Sequence, residues 1–129
     1  EGNGGVIYPE SHYGRDALVG VGLFLSHFVA EGKSMTVLKA TYPQYFISKN
    51  KLTLSPDMDV DKILEGLKKK YASEEITDID GVKIDFKDGW VHLRKSNTEP
   101  IIRIYSESKD EAAANQLAEE VIKVAQSLY

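Results

Sequence analysis

The sequence predicts an α+β protein: a two-layer domain in which two helices cover an antiparallel sheet, preceded by a helical remnant of another domain. A run of alternating apolar residues on either side of Asp88-Gly89 predicts a hairpin. Segments with helical apolar spacing lie on both sides of this hairpin, and a further one lies near the amino end. The apolar positions of the hairpin are Val82, Ile84, Phe86, Val91 and Leu93.

Length and composition favour a globular protein with little more than one domain. The chain has 129 residues, 42% of them hydrophobic, and no apolar run reaches the length of a membrane span. The net charge of −4 argues against a general nucleic-acid binder. The sequence has no cysteine, which excludes disulfides and fits a cytoplasmic protein. Because His12, His27 and His92 lack the spacing of a zinc site, we expect this chain to bind no metal.

We assign residues 1–39 to the remnant and residues 40–129 to the second domain. In the first segment, Asp16 is expected to cap a helix that ends at Glu31-Gly32-Lys33. This helix is apolar on more than one face, which is typical of a piece of a larger domain. Because the sequence starts at Glu1 with neither an initiator methionine nor a signal peptide, we expect a fragment of a longer protein.

Strands and helices alternate in the second domain. Residues 45–47 and 52–54 are expected to be two strand segments separated by polar residues, and Asp57 or Asp59 is expected to cap the next helix. The sequence from Ser108 to Glu111 predicts a capping box for the last helix. The apolar stripe of that helix consists of Ala114, Leu117, Ala118, Val121, Ile122, Ala125 and Leu128.

A two-residue loop at Asp88-Gly89 sets the predicted register of the hairpin. This register places Trp90, His92 and Arg94 on the face opposite to the apolar side chains, and it makes His92 and Asp85 a cross-strand polar pair. Arg94 is therefore expected at a strand end, on the face away from the core. The predicted pairs are Lys87 with Trp90, Phe86 with Val91, Asp85 with His92, Ile84 with Leu93, and Lys83 with Arg94.

The segment from Arg94 to Pro100 concentrates groups that bind anions. Arg94 provides a planar fork of donors, and the short polar side chains after it stand in a turn whose backbone N–H groups can form a nest for an oxyanion. Arg103, on the next predicted strand, is a candidate second contact. The local excess of positive charge in an acidic chain favours a specific anion. The alternative is a polar connection between two strands.

Two segments resemble motifs of the α-D-phosphohexomutase family, which includes phosphoglucomutase, phosphomannomutase and phosphoglucosamine mutase. Arg94–Pro100 is similar to the phosphate-binding loop of the family's C-terminal domain, whose pattern is Arg, any residue, Ser, Asn or Gly, Thr, any residue, Pro. Glu1–Gly5 is similar to the sugar-recognition loop of the third domain, normally Gly-Glu-any-Ser-Gly-His. In that loop Asn3 replaces the usual serine and Gly5 the usual histidine, so the resemblance does not choose among glucose, mannose and glucosamine phosphates.

The resemblance implies that residues 1–39 are the tail of the family's third domain, an α/β domain, and that residues 40–129 are its complete fourth, TBP-like domain. The implied activity is that of an isomerase, a reversible phosphoryl transfer between O1 and O6 of a hexose phosphate through a hexose bisphosphate. The family's phosphorylated serine and its Mg²⁺ ligands belong to domains outside this sequence. We therefore expect no catalytic residue here and no activity from the fragment alone. The implied phosphate-binding residues are Arg94, Ser96, Asn97, Thr98, Glu99 and Arg103, and the implied sugar-binding residues are Glu1 and Asn3.

The implied partners are hexose phosphates, hexose bisphosphates and the N-terminal domains of the same chain, with no nucleic acid and no membrane. A different interpretation is a non-catalytic α+β module that binds a phosphorylated partner or RNA, with Trp90 and Tyr105 as stacking surfaces. A purely structural domain is a third interpretation, and it predicts no ligand.

Overall fold

The computed structural model describes residues 4–55 and 57–128, and it divides the chain into two compact units, Glu1–Pro43 and Gln44–Tyr129. The division therefore falls between Pro43 and Gln44, four residues after the predicted boundary.

The first unit contains two helices, α1 (Ala17–Glu31) and α2 (Met35–Ala40). The Asp16 side chain caps α1 by accepting a hydrogen bond from the Val19 N–H at 3.0 Å. The helix ends at Gly32, whose φ of 60° is the left-handed conformation that terminates helices. Both ends of α1 confirm the sequence prediction. None of the residues of α1 is buried, although most of its side chains are apolar.

The second unit is a five-stranded antiparallel sheet with two helices on one face. The strand order is β1-β5-β4-β3-β2, so the loop between β4 and β5 joins two neighbouring strands near the centre of the sheet. This architecture confirms the predicted fold class. The elements are β1 (Phe46–Thr53), α3 (Val60–Lys70), β2 (Glu75–Thr77), β3 (Val82–Phe86), β4 (Gly89–Lys95), β5 (Ile101–Ser108) and α4 (Glu111–Gln126).

The core of this unit lies between the sheet and the two helices. Alternate residues of β4 and β5 point to the helices and are almost fully buried, and the residues between them form the open face. The buried cluster consists of Leu52, Val60, Ile63, Leu67, Val91, Leu93, Ile102, Ile104, Val121 and Ala125. The open face is therefore where polar side chains of the central strands are available to a ligand.

The prediction of two separate segments in the first strand was wrong, because Phe46–Thr53 is one continuous strand. Its central residues are polar, and two of them, Ser48 and Asn50, form side-chain hydrogen bonds. The Ser48 hydroxyl donates a hydrogen bond to Asn115 Oδ1 on α4 at 2.5 Å, and Asn50 Nδ2 donates to Ser48 Oγ at 2.9 Å. Since β1 is an edge strand, polar residues can continue it without being buried.

The predicted register of the hairpin was wrong by two residues. Phe86 is opposite Gly89 and Lys83 is opposite His92, so the turn is at Lys87-Asp88. A shift of two residues keeps every side chain on its face, which is why the apolar pattern did not exclude it. Gly89 is needed for a different reason than a turn: a Cβ there would lie 2.2 Å from the carbonyl oxygen of Glu107 on β5.

Two smaller features differ from the sequence prediction, and a third agrees with it. Asp110, and not Ser108, caps α4 by accepting a hydrogen bond from the Ala113 N–H at 2.8 Å. The Ser108 hydroxyl instead donates to the carbonyl oxygen of Asp88 at 2.7 Å. The three-residue edge strand β2 is too short for a periodic signal and was not predicted. At α3, Asp59 is the cap, one of the two residues proposed.

Candidate anion-binding site

The predicted anion site lies at the end of strands β4 and β5. Arg94 is the penultimate residue of β4, and Arg103 is directly opposite to it on β5, so both side chains are on the open face. With the loop that joins the two strands, they line a cavity of about 480 Å³. The residues around the cavity are Asp61, Leu64, Asp80, Gly81, Arg94, Lys95, Ser96, Asn97, Thr98 and Arg103.

The structure brings most of the predicted site residues together, although not all of them. Arg94, Ser96, Asn97, Thr98 and Arg103 line this one cavity, and Glu99 does not. The predicted sugar-binding residues, Glu1 and Asn3, lie outside the described residues. Two arginine side chains and the polar residues of one loop therefore line the same cavity.

Hydrogen bonds within the loop set its shape. The Ser96 N–H donates to the carbonyl oxygen of Ile101 at 3.0 Å, which extends the pairing of β4 and β5. Ser96 Oγ accepts from the N–H groups of Thr98 and Glu99 at 3.4 and 3.3 Å. These bonds are long, so an oxyanion, which is the stronger acceptor, could take either N–H group in place of the hydroxyl. The Ser96 side chain thus orders the loop in this structure.

Arg94 is held at the mouth of the cavity by a residue that the sequence did not single out. Its Nη1 is 3.0 Å from Asp80 Oδ2, and the two side chains are 30% and 64% exposed. His92 Nε2 is 2.6 Å from the backbone oxygen of Asp80, so the same residue contacts two positions of β4. This contact replaces the predicted pair of His92 with Asp85, which was wrong because of the register shift.

Gly81 allows this close approach between the turn that carries Asp80 and the end of β4. Its φ is 76°, and a Cβ would lie 2.1 Å from the carbonyl oxygen of Leu93 and 3.0 Å from the Cα of Arg94. Only glycine fits such a position. The signal in the sequence was the dipeptide Asp80-Gly81, which marks a turn but does not say which strand the turn will touch.

The charges around the cavity favour an anion of limited size. Three cationic side chains and two carboxylates line it, and directly opposite guanidinium groups repel one another unless an anion lies between them. Within residues 4–55 and 57–128, no carboxylate forms an ion pair with Arg103. The arrangement can hold a phosphate or carboxylate by charge and hydrogen bonds.

Residues 4–55 and 57–128 contain no group of three or more His, Cys, Asp or Glu side chains placed to hold a metal ion. No described helix has both the length and the apolar character needed to cross a membrane.

Comparisons with known proteins identify the family of this chain. Residues 51–124 match the family described as phosphoglucomutase/phosphomannomutase, C-terminal domain, and this match includes the whole cavity loop. The chain is 40% identical to a phosphoglucosamine/phosphogalactosamine mutase of Sulfurisphaera tokodaii over 96% of its own length. It is also 40% identical over 96% of its length to a phosphoglucomutase/phosphomannomutase of Thermococcus kodakarensis. The chain therefore belongs to the phosphoglucomutase/phosphomannomutase family, of which it contains the C-terminal domain.

A solved structure supports the fold. A phosphoglucomutase/phosphomannomutase family protein of Burkholderia thailandensis aligns with a TM-score of 0.63 over 95% of this chain and 27% of its own, at 23% sequence identity. The chain also spans only about 28% and 27% of the length of these two relatives.

Proposed function

We propose that this chain is the part of a phosphohexomutase that grips the substrate phosphate. The observation that carries the proposal is the position of Arg94 directly opposite Arg103, with Asn97 and Thr98 in the same cavity. A phosphate monoester has three oxygens that can accept hydrogen bonds from guanidinium, amide and backbone N–H donors at once. No carboxylate or histidine has to act on a proton for such binding.

The whole enzyme would transfer a phosphoryl group reversibly between O1 and O6 of a hexose phosphate, through a hexose bisphosphate. Such a reaction needs the phosphate that does not react to be held firmly, because positioning lowers the barrier to phosphoryl transfer. Mg²⁺, held by residues outside this sequence, would neutralise charge on the phosphoryl group that moves. The described residues of this chain supply binding and orientation of the other phosphate.

Closure of the active site would bring this loop to the substrate. The loop from Ser96 to Pro100 is mostly exposed at the end of a rigid sheet, which suits a clamp that must meet a ligand held by other domains. On binding, the N–H groups of Thr98 and Glu99 would exchange Ser96 Oγ for phosphate oxygens. Glu1 and Asn3 would contact sugar hydroxyls, and the enzyme would work in the cytoplasm.

The first test is a titration of the 129-residue chain, followed by backbone amide chemical shifts. Addition of a hexose phosphate should shift the amides of Asn97, Thr98 and Glu99, and inorganic phosphate should compete at the same amides. Shifts that avoid this loop, or a failure of inorganic phosphate to compete, would contradict the phosphate assignment.

The second test is kinetic and uses the full-length enzyme. Arg94→Ala should lower kcat/KM on the order of a hundredfold, because a charged donor to the phosphate is lost in the transition state. Lys69→Ala is the matched control, since Lys69 is an exposed cation of α3 outside the cavity. The control should keep its kcat/KM, and both variants should keep the thermal unfolding of the parent. An unchanged kcat/KM for Arg94→Ala would sink the proposal.

A further inference from the structure

A row of three cationic side chains crosses the open face of the sheet. Lys51 on β1 is directly opposite Arg103 on β5, and Arg103 is directly opposite Arg94 on β4. Residues directly opposite one another in antiparallel strands point to the same face, about 5 Å apart at their Cα atoms. The strand pairing therefore aligns Lys51, Arg103 and Arg94 in one line, which we call the cation row.

Arg103 connects two cavities along this row. It lines the cavity of about 480 Å³ that contains Arg94, and it also lines a neighbouring cavity of about 280 Å³ that contains Lys51. Arg103 therefore stands between the two other cations, with open space on both sides.

The charges of the row are not compensated by nearby acids at its outer end. In the part of the chain that the structure describes, neither Lys51 nor Arg103 forms an ion pair with a carboxylate. Like charges opposite one another destabilise a sheet. An anion that carries more than one negative charge would lower the electrostatic repulsion within the row more than a monoanion would.

We infer that Lys51 is a further binding residue of the phosphate site and that the cation row selects the dianionic form of a phosphate monoester. This inference rests on the proposed function. The phosphate lies between Arg94 and Arg103, and Lys51 acts on it through charge from the neighbouring strand, at about 7 Å if strands are about 4.8 Å apart. At that distance the attraction is proportional to the charge of the ligand, so the dianion gains twice what the monoanion gains.

The test measures the affinity of the 129-residue chain for a hexose monophosphate at low ionic strength. The Debye length is then about 30 Å, so salt hardly weakens an interaction over about 7 Å. At pH 7.5, Lys51→Ala should weaken binding on the order of fivefold. At pH 5 the ester is mostly a monoanion, because its second pKa is near 6, and the loss should fall to about twofold. Lys51→Arg keeps the charge and should restore the parent affinity at both pH values.

Lys49→Ala is the matched control. Lys49 is on the same strand and the same face, two residues from Lys51, and its Nζ lies 5.6 Å from the ring centroid of Tyr105. Lys49→Ala should change log Kd by less than half of the change that Lys51→Ala causes. An equal loss would show a diffuse positive surface and would overturn the role of the row, as would a Lys51→Ala loss that is the same at pH 5 and pH 7.5.

The Arg94→Ala variant shows whether the phosphate site itself is wrong or only the role of Lys51. If Arg94→Ala abolishes binding while Lys51→Ala leaves it unchanged, the phosphate site stands and the role of Lys51 is wrong. If neither variant changes binding, or the parent chain binds no hexose phosphate, the proposed function and the inference both fail.

Discussion

At the scale of single residues, the site depends on a turn whose importance the sequence did not reveal. Two Asp-Gly dipeptides occur in the hairpin region, and only the one at Asp88-Gly89 was interpreted as structural. The other, Asp80-Gly81, brings a carboxylate to Arg94. Local sequence predicts turns from backbone preferences, but it contains no information on which distant strand the turn will contact. Arg94, Arg103 and the loop could be selected as candidates from the sequence because their ability to bind an anion follows from residue type, and the structure places them around one cavity.

Gly81→Ala should destabilise the second unit by on the order of 3 kcal/mol, because it combines a strained positive φ with a backbone clash. The clash is severe, since the added Cβ would lie 2.1 Å from the Leu93 carbonyl oxygen. Urea unfolding of the parent and the variant measures the difference. Ile79→Ala in the same turn is the control: Ile79 is 93% exposed, so its variant should unfold within about 0.5 kcal/mol of the parent. Equal stability of Gly81→Ala and the parent would contradict the contact with β4.

At the scale of secondary-structure elements, the spacing of apolar residues predicted which face of each strand and helix is buried. It did not predict how the strands pair. The alternation in β3 and β4 correctly assigned each side chain to a face, while the register was wrong by two residues. Faces depend on a period of two, and any even shift preserves them. The observed register depends on contacts with the neighbouring strand β5, such as the close approach of the Glu107 carbonyl oxygen to Gly89. These contacts are between strands and are absent from the local pattern.

The cap of α3 provides a pH-dependent prediction at this scale. Asp59 accepts a hydrogen bond from the backbone N–H of Lys62 at 3.2 Å, and this bond lowers the pKa of the Asp59 carboxyl below its usual value. A carboxyl whose pKa is lowered by folding stabilises the fold above its unfolded pKa, near 3.9, and this contribution is lost as the pH falls through the folded pKa.

Asp59→Ala should therefore lower the melting temperature at pH 7, and the difference from the parent should shrink below pH 4. Asp59→Asn keeps a capping acceptor that does not titrate, so it should melt above Asp59→Ala at pH 7. Thermal unfolding followed by circular dichroism between pH 3 and pH 7 measures both differences. A deficit of Asp59→Ala that stays constant over this range would exclude the charged cap.

At the scale of the whole molecule, the two units differ in how well they bury their apolar residues. The buried cluster of the sheet unit draws its members from residues 52–125, on both helices and three strands. In the first unit α1 has no buried residue, and Leu18 and Val29 are 83% and 77% exposed. An apolar helix with this exposure needs a partner surface. The chain spans only about 28% of the length of the Sulfurisphaera tokodaii relative.

Residues 44–129 alone should therefore fold and keep the anion site, because the cluster that stabilises the sheet and every residue around the cavity lie within this range. The shortened chain should unfold in one cooperative step, and its urea midpoint should lie close to that of the sheet unit in the 129-residue chain. Its affinity for inorganic phosphate should equal that of the longer chain, with the same amide shifts at Asn97 and Thr98. Arg94→Ala in the shortened chain is the control and should abolish these shifts. An unfolded spectrum, or a phosphate affinity that needs residues 1–43, would show that the sheet unit is not an independent phosphate-binding domain.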